Sequence, residues 1–156
     1  MASAANNVIL LKGDLGWRYE ESRAGGTIKP GELGKINSSK QIIRHATAGG
    51  HAAAIVVLEN RKIGTYTSSG ITGNNLTTAY ASGDLVPYMR MAPGMCANLM
   101  LKDGINFAAG DKLVSAGDGS LKKWTSEELG AIVAEVRDAV DLTSAGANTL
   151  NPCWIV

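Results

Sequence analysis

Pro30-Gly31-Glu32-Leu33, Ser82-Gly83-Asp84-Leu85-Val86 and Ala109-Gly110-Asp111-Lys112-Leu113-Val114 repeat one phrase: a small residue or proline, then glycine, an acid and an apolar stretch. Glycine enters a backbone geometry that other residues resist, and the acid can bond the turn's own amides. The apolar residues that follow suit a half-buried strand. A turn that repeatedly launches a short strand punctuates a compact β-barrel or sandwich. The expected fold is therefore mainly β: a single compact β-barrel or sandwich-like domain with short helical turns and an extended N-terminal arm.

Working outward, residues 1–26 read as a tail or arm and residues 27–156 as the β-rich domain. Val8 to Lys12 reads as a strand. The segment after it, bounded by glycines and carrying Trp17 and Tyr19, reads either as a mobile arm with anchors or as a loop packed on its own domain. Leu33 to Asn37 alternates and pairs with Gln41 to Ala46, and Ala53 to Glu59 has the β-branched centre of a buried strand. Gly64 to Thr78 is a long Gly/Ser/Thr/Asn loop with room for one helical turn before Tyr80. Leu85 to Met91 is a strand whose Pro87 argues for an edge or a bulge. Met95 to Leu101 alternates, and Asp103-Gly104 and Asp118-Gly119 signal hairpins. Thr125 with Glu128 looks like a capping box, so a helical turn is expected near Thr125 to Leu129. Ala131 to Asp141 fits both helical spacing (Ile132, Val133, Val136, Val140) and period-two alternation, and the strand is the reading chosen. Asn148 to Pro152 reads as a turn before a last strand, Cys153 to Val156.

The chain has 156 residues, enough for one real core, and 45% of them are apolar against 5% aromatic. That core must come from Val, Ile, Leu, Ala and Met. Charge is nearly balanced, with 15 basic and 14 acidic residues. Binding phosphates without sequence preference needs clustered Lys and Arg, and Arg61-Lys62 and Lys122-Lys123 are only pairs. No direct nucleic-acid partner is expected. The apolar run Val8 to Leu11 is short and lacks a basic leader, and no stretch approaches bilayer length, so a soluble protein made in a cytoplasm is expected without a membrane partner.

Residue supply argues against catalysis. His45 and His51 lack nearby Cys or acid to complete a metal set and read as surface-loop histidines. Cys96 and Cys153 read as small buried apolar residues. No nucleophile elbow or phosphate-binding loop occurs. Met89-Arg90-Met91 resembles the Met-Lys-Met turn of biotin and lipoyl carriers, but arginine cannot form the amide bond to the cofactor. No enzyme activity, cofactor or metal is expected.

Several phrases resemble the small capsid decoration (head-stabilisation or cement) proteins of tailed phages. They are Lys29 to Lys35, Arg44 to Gly50, Leu58-Glu59-Asn60, Ala79 to Asp84, Ala108 to Leu121, and Gly130 to Glu135 leading to Ala139-Val140-Asp141. Each phrase alone is turn grammar, and their order and spacing carry the resemblance from about Lys29 onward. It implies a virion protein on the outer capsid surface, made in the host cytoplasm, trimeric, and bridging neighbouring major capsid protein subunits without catalytic residues. In that setting Val8, Ile9, Leu10 and Leu11 are candidates for a strand added to a neighbour's edge, with Trp17, Arg18 and Tyr19 beside them. Equally, this strand could complete its own barrel. The rival readings are a small β-barrel carbohydrate-binding module, with the Gly64 to Thr78 loop as its lip, and another virion part such as a head fibre or tail-tube component.

Overall fold

The computed structural model describes residues 8–13, 19–60, 66–67, 70–71, 74–126 and 132–156. Its strands are β1 (Leu10–Lys12), β2 (Tyr19–Arg23), β3 (Gly34–Ile36), β4 (Ile42–Arg44), β5 (Ile55–Val57), β6 (Tyr66–Thr67), β7 (Gly70–Ile71), β8 (Leu85–Arg90), β9 (Cys96–Leu101), β10 (Asn106–Phe107), β11 (Lys112–Ser115), β12 (Leu121–Lys123), β13 (Ala134–Val136), β14 (Val140–Asp141) and β15 (Thr149–Ile155). No helix occurs among the described residues. A single turn, closed by the Thr78 amide on the Asn74 carbonyl at 2.9 Å, precedes Tyr80. Part of the helical turn expected at 125–129 lies outside the described residues.

The repeated phrase folds the same way three times. Gly31, Gly83 and Gly110 have φ of 77°, 86° and 86°, as the third residue of a type II turn requires. In each turn the acid's amide donates to the carbonyl three residues back: Glu32 to Lys29, Asp84 to Ala81, Asp111 to Ala108. Its carboxylate accepts that same residue's amide in return, at 2.7, 2.9 and 2.7 Å. Two bonds thus close each turn, which explains why the acid follows the glycine.

Strands β9, β12, β11, β13 and β15 close into a mixed barrel, because β15 pairs back onto β9. Its one parallel contact is Leu121 with Leu101. Period-two alternation fills the interior with Ala97, Leu99, Leu101, Leu113, Leu121, Ala134, Val136, Cys153 and Ile155. A second sheet, β2-β8-β5, packs Val56 and Met89 into this cluster. Its other face packs Ile55, Val57, Val86 and Tyr88 with Ala24, Ile28, Ile42 and Tyr80. Strand β5 is buried on both faces, hence its unbroken apolar run.

Four local expectations are corrected. Pro87 lies in the central strand of the second sheet, not at an edge or bulge. Its carbonyl takes the Leu58 amide just past the end of β5, so its missing donor falls beyond the ladder. Residues 149–152 form the start of β15 and not a turn. Pro152 faces Asn98, whose amide goes the other way to Ile9, while the Pro152 carbonyl accepts from Arg137 beyond β13. Asp103-Gly104 is a turn without a hairpin, since β10 pairs with β14. Within the long loop two short strands, β6 and β7, pair antiparallel. By contrast β3 with β4 and β11 with β12 pair as expected.

Gly31 is the tightest turn. Its amide bonds the Val57 carbonyl at 2.8 Å and its carbonyl takes the Met100 amide at 2.9 Å, so one residue joins both sheets. A Cβ there would come within 2.2 Å of Leu150 Cδ2 and 2.9 Å of the Asn98 carbonyl, while one at Gly83 would meet nothing within 4 Å. Gly31→Ala should therefore cost about 3 kcal/mol from strain plus crowding, and Gly83→Ala about 1 kcal/mol from strain alone. Urea unfolding of both variants tests this, and equal losses would remove the crowding.

Candidate functional site

Two places gather polar side chains. The first is a buried row beneath the Asp118-Gly119 turn. Glu32 is almost wholly buried and binds Arg44 Nε at 2.7 Å through the oxygen that takes the Lys29 amide. Burial pushes the Glu32 carboxyl up, against the pull of Arg44. Gly119 lies directly behind: a Cβ there would sit 3.1 Å from Glu32 Cδ and 3.2 Å from Arg44 Cγ. Asp118 is held down to about 2; burial opposes this, but bonds from Lys102 and Ser120 outweigh it. Lys102 Nζ stands 2.6 Å from Asp118.

His45, expected on the surface, is buried, with Nδ1 2.7 Å from Ser115 Oγ and Nε2 3.3 Å from the His51 carbonyl. A carbonyl can only accept, so Nε2 carries the proton and Nδ1 accepts from the serine hydroxyl. This resembles a nucleophile and base in atoms alone. Ser115 is fully buried, its Oγ also takes the Gly117 amide at 3.2 Å, and the outer imidazole nitrogen meets a carbonyl where a catalytic pair would have an orienting acid. The pair locks loop 46–51 to β11.

The second place is a groove of about 550 Å³ on the barrel's outer wall. Its floor is the outward face of two paired strands, Leu150 opposite Met100 and Pro152 opposite Asn98. Leu11, Lys29, the 74–77 turn, Arg137 and Asn148 also line it, with Thr149 and Asn151 of β15. No Asp or Glu lines it. Arg137 is braced by Asp138, at 2.6 Å from Nη2 and 3.1 Å from Nε. Nearby, Lys12 Nζ sits 5.3 Å from the Trp154 ring centroid, within cation–π range.

The candidate contact residues are partly brought together here. Leu10 and Leu11 are half-buried on β1, which pairs with the chain's own β9, Leu10 opposite Ala97. Ile9 is fully buried, its carbonyl taking the Asn98 amide at 2.7 Å, and Val8 is 41% exposed. The strand therefore sits at home on its own barrel, and Leu11 reaches the groove. Tyr19 begins β2 and packs against the main core, so it is integral to the second sheet. Trp17 and Arg18 lie outside the described residues. The boundary expected at residue 26 falls between Ala24 and Ile28, both fully buried in one cluster, and removing residues 1–23 would take away Ile9 and β2.

Among the described residues no group of three or more His, Cys, Asp or Glu is placed to hold a metal. Cys96 and Cys153 are buried free thiols; burial raises both, Cys153 to about 12. Arg90 of the carrier-like triplet lies within β8 and pairs with Glu20 at 3.0 Å.

No family model matches the sequence, and no curated protein matches it either. Among solved structures the chain is similar to the N base of the head fibre gp8.5 of bacteriophage phi29, with a TM-score of 0.53 over 88% of this chain and 92% of that one. Identity is 13%, so the likeness is one of fold.

Burial lowers the His45 pKa below its ordinary value near 6.5. The unfolded chain therefore takes the proton first, and the stability this imidazole contributes is present above about pH 6.5 and lost as pH falls below it. Glu32, with a raised pKa, acts in the opposite direction as its proton is taken up. A His45→Gln variant isolates the histidine. Between pH 7.5 and 5.5 its melting temperature should fall less than that of the parent chain, and parallel curves would contradict the assignment.

Proposed function

We propose that this chain is a non-catalytic structural protein of a phage virion, seated on the outer surface of the head as a homotrimer that bridges neighbouring major capsid protein subunits. The observation that carries this reading is the architecture shared with a head fibre base over nearly the whole of both chains. The ordered turn phrases that resemble decoration proteins support it separately. So does the chemistry: the one serine–histidine pair found is sealed, and the polar groups serve turns and packing.

A head packed with DNA loads the seams of its shell. A protein that buries surface on several subunits at once opposes their separation, and about 800 Å² per partner makes a standard interface. Threefold repetition multiplies modest affinities. The closed barrel suits this task, since it keeps its shape under load and leaves few edges for unspecific pairing. Val8, Leu10 and Leu11, with Trp17, Arg18 and Tyr19, remain the contact candidates, with β1 acting from its place on its own barrel. A second reading, the capsid-seated foot of a head fibre, is favoured by the neighbour's identity as a fibre base. It differs in carrying a load outward more than in tying subunits together.

Heads assembled without this chain, mixed with the purified protein and sedimented, should retain it in a saturable amount. Decorated heads should release DNA at a higher temperature than bare ones if the protein ties the shell, and at the same temperature if it is a fibre foot. Sedimentation equilibrium should give three times the chain mass. A monomer that stays in the supernatant overturns the proposal.

A further inference from the structure

The groove on the β9–β15 wall offers a pattern of hydrogen-bonding groups not consumed by the fold. Asn98 is 9% exposed and commits its amide nitrogen to the Val8 carbonyl at 2.9 Å, which leaves the oxygen as an acceptor. Asn74 and Asn148 do the reverse. Their oxygens take the Leu76 and Asp103 amides at 2.8 and 3.1 Å, which leaves their NH2 groups as donors. Among the described residues no buried side-chain polar atom lacks a partner, so these groups are open to solvent. They alternate with the apolar surface of Leu150, Met100 and Pro152.

We infer that this groove is the capsid-facing seat of the protein, and that its occupant is an extended, acidic segment of the major capsid protein. The inference rests on the proposed virion role and names the contact. An extended peptide presents both amides and carbonyls at about 3.3 Å per residue, which suits a floor built on two paired strands with acceptors and donors on its walls. The lining holds Lys29 and Arg137 and no Asp or Glu, so a carboxylate on the occupant meets cationic walls. Asp138 already braces Arg137, which makes Lys29 the main charge partner. No aromatic side chain lines the groove, so the stacking platform that sugar rings favour is missing. Leu11 in the wall explains how β1 can contribute to attachment without leaving its own sheet.

The test uses the full chain and heads assembled without it. Lys29→Gln removes the cation, and Thr77→Trp fills the groove from an exposed turn position. Melting curves first establish that both variants fold; Lys29→Gln alone suffices should Thr77→Trp fail. Each should attach about ten-fold more weakly than the parent chain. Attachment of the parent should weaken as salt rises from about 0.05 to about 0.5 M, and Lys29→Gln should flatten that dependence. Loss with Thr77→Trp but not with Lys29→Gln would overturn the acidic occupant. Unchanged attachment of both would overturn the groove as the seat and leave the virion role standing. Failure of the parent chain to attach would overturn the virion role itself.

Discussion

The fold depends on a backbone that crosses between two sheets at a residue with no side chain. Gly31 gives its amide to β5 and its carbonyl to β9, and Leu33 then bonds the carbonyl of Gly119 in the β11–β12 turn at 2.7 Å. Along one edge of β9 the amides of Asn98, Met100 and Lys102 go to Ile9, Gly31 and Leu121 in succession. Three segments from distant parts of the chain thus share a single strand edge. Pairing of β12 onto β9, docking of the second sheet and seating of β1 all use that one edge. A side chain at position 31 would push on Leu150 on the outer wall, so the groove floor is held by the same constraint.

The buried polar row follows from this crossing. Glu32 must serve its own turn, and the turn lies inside the molecule, so its carboxylate is buried with it. Arg44 answers the charge from β4, and Gly119 leaves room for both. A buried carboxylate is a liability that good geometry offsets without turning it into a large gain. The His45–Ser115 bond beside it is neutral and ties the same loops together at lower desolvation cost. Polar chemistry is thereby concentrated where loops meet the barrel, while its interior stays mostly apolar.

The turns were legible in the sequence because their causes are local. Glycine followed by an acid predicts both the left-handed residue and the returned carboxylate, and Gly83 and Gly110 need nothing else. Period-two alternation likewise marked β9, and the Asp118-Gly119 turn signal marked the β11–β12 hairpin. What escaped was set by partners far along the chain. Pro87 and Pro152 look wrong for inner strands until the neighbouring strand is seen to end beside them. His45 looks like a loop residue because Ser115, which buries it, is remote in sequence. The groove was hidden for the same reason, since Leu11, Lys29, Asn98 and Leu150 meet only through the barrel. Of the contact candidates, Leu11 lines the groove, while Ile9 was named for a surface and lies in the core.

A shared architecture at 13% identity also bears on where attachment would reside under the proposed role. With so few residues in common, what two such chains keep is the path of the backbone, fixed by turns and by closure of the barrel. Partner choice must then lie in what the path displays: outward faces, loop tips and the groups the fold leaves unbonded. In this chain the barrel's inward residues are mostly apolar, and the inward Ser115 and Asn151 are spent on internal hydrogen bonds. Its outer β9–β15 wall combines apolar floor, amide donors, an amide acceptor and cations within one groove. A rigid barrel holds these groups at set spacings before any partner arrives, which lowers the ordering cost of binding. Preorganisation of this kind would serve the proposed role, in which each contact is modest and several act in concert.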